Sequence, residues 1–396
     1  MTPLDAGTRL WWVRLPRAGA RISSTLGLTL LDGHWVGAVR VLGAVATPLA
    51  VVVGVAIGGS HPGFDVLPTE SLPLIALLVA VGVASGQLGL ALLGGFAVGN
   101  LVLAGSTWSY EGAPLSLASL ASGDAGAYLL RVVLPLLIAY GVLAVVMVKL
   151  PLGTKAIVRA LMPGDRSPLA LRITLAVVTQ VALTAALVYL WSLAAPVLLR
   201  PVWTWRGELP TVEAIRPLQE DAATLAWVAA SVAGLRIGVQ ALLVTVRSLA
   251  ARAGVIEHEL CRALPAPPLY DRLPAVVRGV MTGIVTTLLL AGLFSAWAEA
   301  VVVFSTVTFF QLARTGVVPV PLGSWARLMD RIPVLVRFAA GLVIVFVVGQ
   351  WFLPDRIRSA ETFGPQLVFL LLGLAVFYLL VPTVPGHQGR DRAPVS

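Results

Sequence analysis

The chain has 396 residues, 58% of them hydrophobic and 12% charged, with a mean hydropathy of +0.91. Soluble globular domains carry about 25% charged residues, so this composition excludes one and points to an all-α, polytopic transmembrane helix bundle. The net charge of +9 fits a positive-inside bias combined with few acids, so no nucleic-acid partner is expected.

Residues 1–34 read as a cytoplasmic amphipathic or interfacial segment. They carry Arg9, Arg14, Arg17 and Arg21 and lack the continuous apolar core of a cleavable signal. The mixture Arg9-Leu-Trp-Trp-Val-Arg-Leu suits a membrane interface; ordinary positive flanking with an aromatic belt explains it equally well. The first crossing is expected at 35–59. A single transmembrane domain is expected over 35–384, with a short cytoplasmic tail at 385–396.

The stretch 72–105 decides the topology. It holds no charged residue. As one helix it would be about 51 Å long, against a hydrocarbon core of about 30 Å. We therefore read it as a hairpin of two short crossings, turning near Ser85-Gly86-Gln87 or Gly94-Gly95. The flanking loops 60–71 and 106–127 contain acids and no Lys or Arg, which places them on one side, as a hairpin requires.

Further crossings are expected at 128–148, 173–195 and 222–246. Residues 279–313 form a second long apolar stretch with Glu299 as its one charge. It reads as a second hairpin turning near Ala298-Glu299. Final crossings follow at 333–353 and 363–384. The total is eight to ten crossings, N-in and C-in, with either hairpin spanning or re-entrant. With ten crossings the inside segments hold 19 Lys/Arg and the outside loops 5; with eight the split is 12 and 12. The positive-inside rule favours ten.

No catalytic motif is present: there is no GxSxG elbow, Walker A loop or GxGxxG, and no enzyme activity is expected. His34, His61, His258 and His387 all fall in loops or tails, and Cys261 is the one cysteine. No metal site or cofactor is expected.

Polar residues inside spans are the remaining candidates. Arg40, Arg131 and Arg337 lie near span ends, where they can snorkel. Arg236 lies mid-span, where a lone arginine costs at least about 2.5–3.5 kcal/mol. Gln240 is one turn away on the same face. Gln180 and Gln87 are the partners the sequence offers. The four define a candidate polar cluster that holds an anionic head group or substrate, or serves as an inter-helix hydrogen-bond network. Glu299 is the natural proton-coupling candidate, although a hairpin tip would put it at the outer surface.

These features suggest a permease-like transporter, or the membrane subunit of an export system, for a lipophilic or anionic substrate. The alternative is a non-transporting scaffold or anchor subunit of an envelope assembly. Membrane lipids are expected partners. The basic loops 149–172 and 247–278 offer surfaces for a cytoplasmic protein such as an ATPase, or for anionic lipid. The Arg-for-Lys bias suggests a high-GC bacterial gene and hence a bacterial plasma membrane.

Overall fold

The computed structural model describes residues 2–60, 72–103, 109–110, 113–114, 169–205, 220–246, 272–289 and 297–314, with isolated positions between them. The expected crossings at 363–384 and almost all of 128–148 and 333–353 lie outside the described residues, as do most of the loops 149–172 and 247–278. The chain divides into two compact units, Met1–Tyr270 and Asp271–Ser396.

The first unit begins with a continuous helical run. It comprises α1 (Pro3–Arg9), a π-helical turn (Leu10–Arg14) and α2 (Leu15–Ile22), and the joints at Leu10 and Leu15 keep right-handed helical dihedrals. Thr2 and Asp5 form a reciprocal cap at its start. The π turn precedes Pro16, a residue whose ring collides with the carbonyl four positions earlier in a regular α-helix. Ser23 is extended (φ −150°, ψ 138°) and ends the run. Helix α3 (Ser24–Leu31) then folds back, packing Gly27 against Ala20, and Leu26 and Leu30 against Gly19.

Asp32 and Gly33 turn the chain, and a 3₁₀ turn (His34–Ala38) leads into α4 (Arg40–Ser60). The N-terminal run lies against the start of α4. Gly7 abuts Ala44, and the indole of Trp12, fully buried, donates to the Gly43 carbonyl at 2.8 Å. Residues 1–34 thus pack closely on the helix that follows them.

The stretch 72–103 is two helices, α5 (Leu72–Ala84) and α6 (Gly86–Val98), with a π-helical extension over Gly99–Leu103. The break is Ser85, which is extended (φ −155°, ψ 120°) and caps α6. The first of the two turns expected from sequence is the one formed. The two helices fold back on each other, and a Cβ built on Gly89 would lie 2.6 Å from the Gly82 Cα.

Helices α4 and α6 run parallel and touch backbone to backbone. Gly95 lies against Val51 and Gly99 against Val55; Gly54 lies against Leu92 and Phe96, and Gly58 against Phe96 and Asn100. Each helix contributes one GxxxG, Gly54–Gly58 and Gly95–Gly99. Small residues at this spacing allow close packing where water supplies no driving force. Beyond the pair, Asn100 donates to the Tyr140 hydroxyl at 3.1 Å, and Phe96 meets the Tyr140 ring edge-on.

Two further long helices complete the described part of this unit, α7 (Leu169–Trp205) and α8 (Ala222–Thr245). They pack together where Val181 faces Gly234. Helix α7 runs past the boundary expected at 195, continuing through Pro196 and Pro201 to include Trp203 and Trp205. Prolines are tolerated inside apolar membrane-type helices when neighbouring groups re-satisfy the backbone, so Pro196 is not the stop it would be in a soluble helix.

The second unit contains α9 (Ala275–Leu289) and α10 (Trp297–Arg314), which pair antiparallel. Gly279 meets Leu312, and Gly283 meets Phe304 and Thr308. The expected turn at Ala298-Glu299 is corrected by this register. Both residues already lie in the first turn of α10, and the connection falls between Leu289 and Trp297. A carboxylate in a helix's first turn is a start signal, since it complements the positive end of the helix dipole.

The described fold is helical apart from one two-rung ribbon, Ser109–Tyr110 (β1) with Ala113–Pro114 (β2). Among the described residues, three helical segments are long and apolar enough to cross a membrane: Arg40–Ser60, Thr174–Leu193 and Ala222–Leu243. Helices α5 and α6 have 13 residues each and are shorter than a crossing.

Candidate functional site

The break at Ser85 brings together the buried polar residues Asp32, Ser85, Gln87 and Arg236. Arg236, in the middle of α8, forks onto Asp32, with Nη2 on Oδ1 at 2.6 Å and Nη1 on Oδ2 at 3.1 Å. Both side chains are about 6% exposed. Nη1 also donates to the Val83 carbonyl at 2.8 Å. The geometry is the bidentate, charge-assisted form that is the strongest of such pairs.

Asp32 is tied to all three residues of the turn. Its carboxylate accepts from the Gly86 amide at 2.9 Å. Its own carbonyl accepts from the Ser85 hydroxyl at 2.9 Å and from the Gln87 amide at 3.4 Å. The adjoining Gly33 has φ +98° and packs on the Ser85 side chain so closely that a Cβ would overlap it. Only glycine fills that position without strain.

The electrostatics of the break follow from its geometry. Helix α5 ends there and presents carbonyls, the negative end of its dipole; α6 begins there and presents amides, the positive end of its own. The cation of Arg236 meets the Val83 carbonyl and the anion of Asp32 meets the Gly86 amide. Two opposed helix ends are each met by the opposite full charge, and the two charges meet each other. A buried pair repays its desolvation only with such additional partners.

The residues expected to cluster are distributed as follows. Gln87 is at the break and buried, but its side chain turns away from Arg236, donating to the Trp11 carbonyl at 3.0 Å and to Thr47 Oγ1 at 3.1 Å. Its Oε1 and the Nε of Arg236 have no hydrogen-bond partner among the described residues. Gln180 donates to Thr154 Oγ1 at 2.7 Å and lies in a Thr154–Thr184 network between other elements. Gln240 is half-buried one turn below Arg236. Glu299 belongs to the second unit, as third residue of α10.

Sequence reasoning missed Asp32, the carboxylate that Arg236 binds. It lies 204 residues upstream in a segment read for its arginines. A signal was present: Asp32 is the one acid between Asp5 and Asp65, and a glycine follows it, a turn dipeptide in a run otherwise suited to helix. Among the described residues no group of His, Cys, Asp and Glu side chains is arranged to hold a metal ion. No protein-family description, curated protein or solved structure matches the chain.

Proposed function

We propose that this protein is a multi-pass membrane transporter, a permease-like protein or the membrane subunit of an export system, whose substrate path is controlled at the Ser85 break. The observation that carries this reading is the broken α5/α6 element closed by the Asp32–Arg236 pair. A crossing helix satisfies its own backbone; a break at membrane depth persists only where protein buries it or where it borders a cavity. Discontinuous helices whose ends face charged groups recur at transporter sites. Here one partner charge comes from an N-terminal segment far from α8 in sequence, so opening the break requires the pair to separate. A lipophilic substrate would pass without competing for the guanidinium; an anionic one would have to displace the Asp32 carboxylate. The bacterial plasma membrane remains part of this proposal.

A second reading, a non-transporting scaffold, is favoured by the same pair taken as a fixed staple between distant parts of the chain. Its partner, a cytoplasmic protein without ATPase activity, would dock on the basic loops 149–172 and 247–278.

Native mass spectrometry of the protein gently extracted from its own host membrane tests the two readings, with wild type compared to Asp32→Asn. Transport expects a retained small molecule or an ATPase partner, with small-molecule retention altered by the substitution. A stoichiometric partner without ATPase activity, no small molecule, and no effect of Asp32→Asn would overturn the transport reading and leave the scaffold.

A further inference from the structure

The N-terminal helical run has three sides, and two are spoken for. One side, with Trp12 and Val13, is buried in the core that contains Val36. Another, with Gly19, is covered by the returning helix α3. The third carries Arg14, Arg17 and Arg21, spaced three and four residues apart and so aligned on one helix face. Arg14 and Arg21 are exposed, and so is Ala18 between them. Along the rim of this face lie exposed apolar side chains: Leu10, Ile22 and, from α3, Leu28.

Asp5 meets Arg40 at 3.7 Å, and Asp32 meets Arg236. The face presents the exposed guanidinium groups of Arg14 and Arg21, bordered by aliphatic side chains. A helix of this design lies in the plane of a membrane interface, its apolar rim among the acyl chains and its cations among the headgroups. Arginine suits phosphate especially, because its planar fork donates two parallel hydrogen bonds.

We propose that the face carrying Arg14 and Arg21 binds the phosphate headgroups of anionic lipids. This rests on the reading of the chain as a membrane protein. It is independent of what the Ser85 break does.

The test uses the full-length protein in detergent. Phosphatidylglycerol and phosphatidylcholine are titrated in separately, and bound lipid is counted by native mass spectrometry. Wild type should retain phosphatidylglycerol preferentially. Arg14→Gln/Arg21→Gln should reduce that preference about tenfold or more, since each basic side chain near an anionic surface contributes about fivefold. Arg14→Lys/Arg21→Lys should keep most of it, and Arg390→Gln/Arg392→Gln in the tail should keep it all. The lysine pair also guards against a folding defect, because it preserves charge and helix propensity. No preference in wild type, or a preference undiminished in the glutamine pair, overturns the proposal. A wild-type chain that fractionates with the aqueous phase in the absence of detergent fails at the earlier step, the membrane reading itself.

Discussion

Arg236 and Asp32 form a two-pronged ion pair, 2.6 and 3.1 Å, across 204 residues of sequence. The pair joins the middle of a candidate span to the turn that follows α3. It also closes the break between α5 and α6, so three separate segments depend on it. Removing one partner leaves the other charge buried, which typically costs about 3–5 kcal/mol. Arg236→Leu and Asp32→Leu should each lower thermal stability sharply, and the double variant should lose much less than the two losses added together. Thermal unfolding of the four proteins in one detergent measures the coupling. Strict additivity would mean that the two side chains act separately.

The turn at Gly33 yields a second expectation. With φ +98° and the Ser85 side chain against it, Gly33→Ala introduces left-handed strain of about 1–2 kcal/mol as well as an overlap. Stability should fall by at least that amount. Hydrogen exchange should accelerate at Gly86 and Gln87, whose amides Asp32 holds. Protection equal to wild type at those two amides would show that the turn does not position Asp32.

Neighbouring glycines in α6 give opposite expectations. Gly95 is buried against the Val51 backbone, whereas a Cβ on Gly94 would meet nothing within 4 Å. Gly95→Ala should therefore force α4 and α6 apart and lower the melting temperature. Gly94→Ala should be neutral or stabilising by about 0.5–1 kcal/mol, since alanine is the better helix former. Equal effects at the two sites would contradict the parallel packing described above.

The glutamines separate in the same way. Gln87→Leu removes two donated bonds that tie α6 to Trp11 and Thr47, each worth about 0.5–1.5 kcal/mol, and leaves the Trp11 carbonyl short of a partner. Gln240→Leu, at a half-buried position, should stay within about 0.5 kcal/mol of wild type. A destabilised Gln240→Leu with an unaffected Gln87→Leu would return Gln240 to the site and remove Gln87 from it.

Local features were legible in the sequence and distant ones were not. The turn near Ser85 follows from a length mismatch with small polar residues at the midpoint. The burial of Arg236 follows from one charge in an apolar run. Both arguments need only neighbouring residues. Asp32 has no local mark of its destination, since ion pairing across 204 residues leaves no periodic trace. The parallel contact of α4 with α6 falls between these cases. The motifs Gly54–Gly58 and Gly95–Gly99 are visible in the chain, but GxxxG does not name its partner. At Glu299 the one charge within a long apolar stretch suggests a turn, whereas it lies in the first turn of the helix that follows.

Synthesis runs from the N-terminus, so Asp32 leaves the ribosome long before Arg236. By the time α8 is made, the carboxylate that meets its arginine in the folded protein has already been synthesised. A chain missing residues 1–38 would keep the Arg236 guanidinium and lose the carboxylate that meets it.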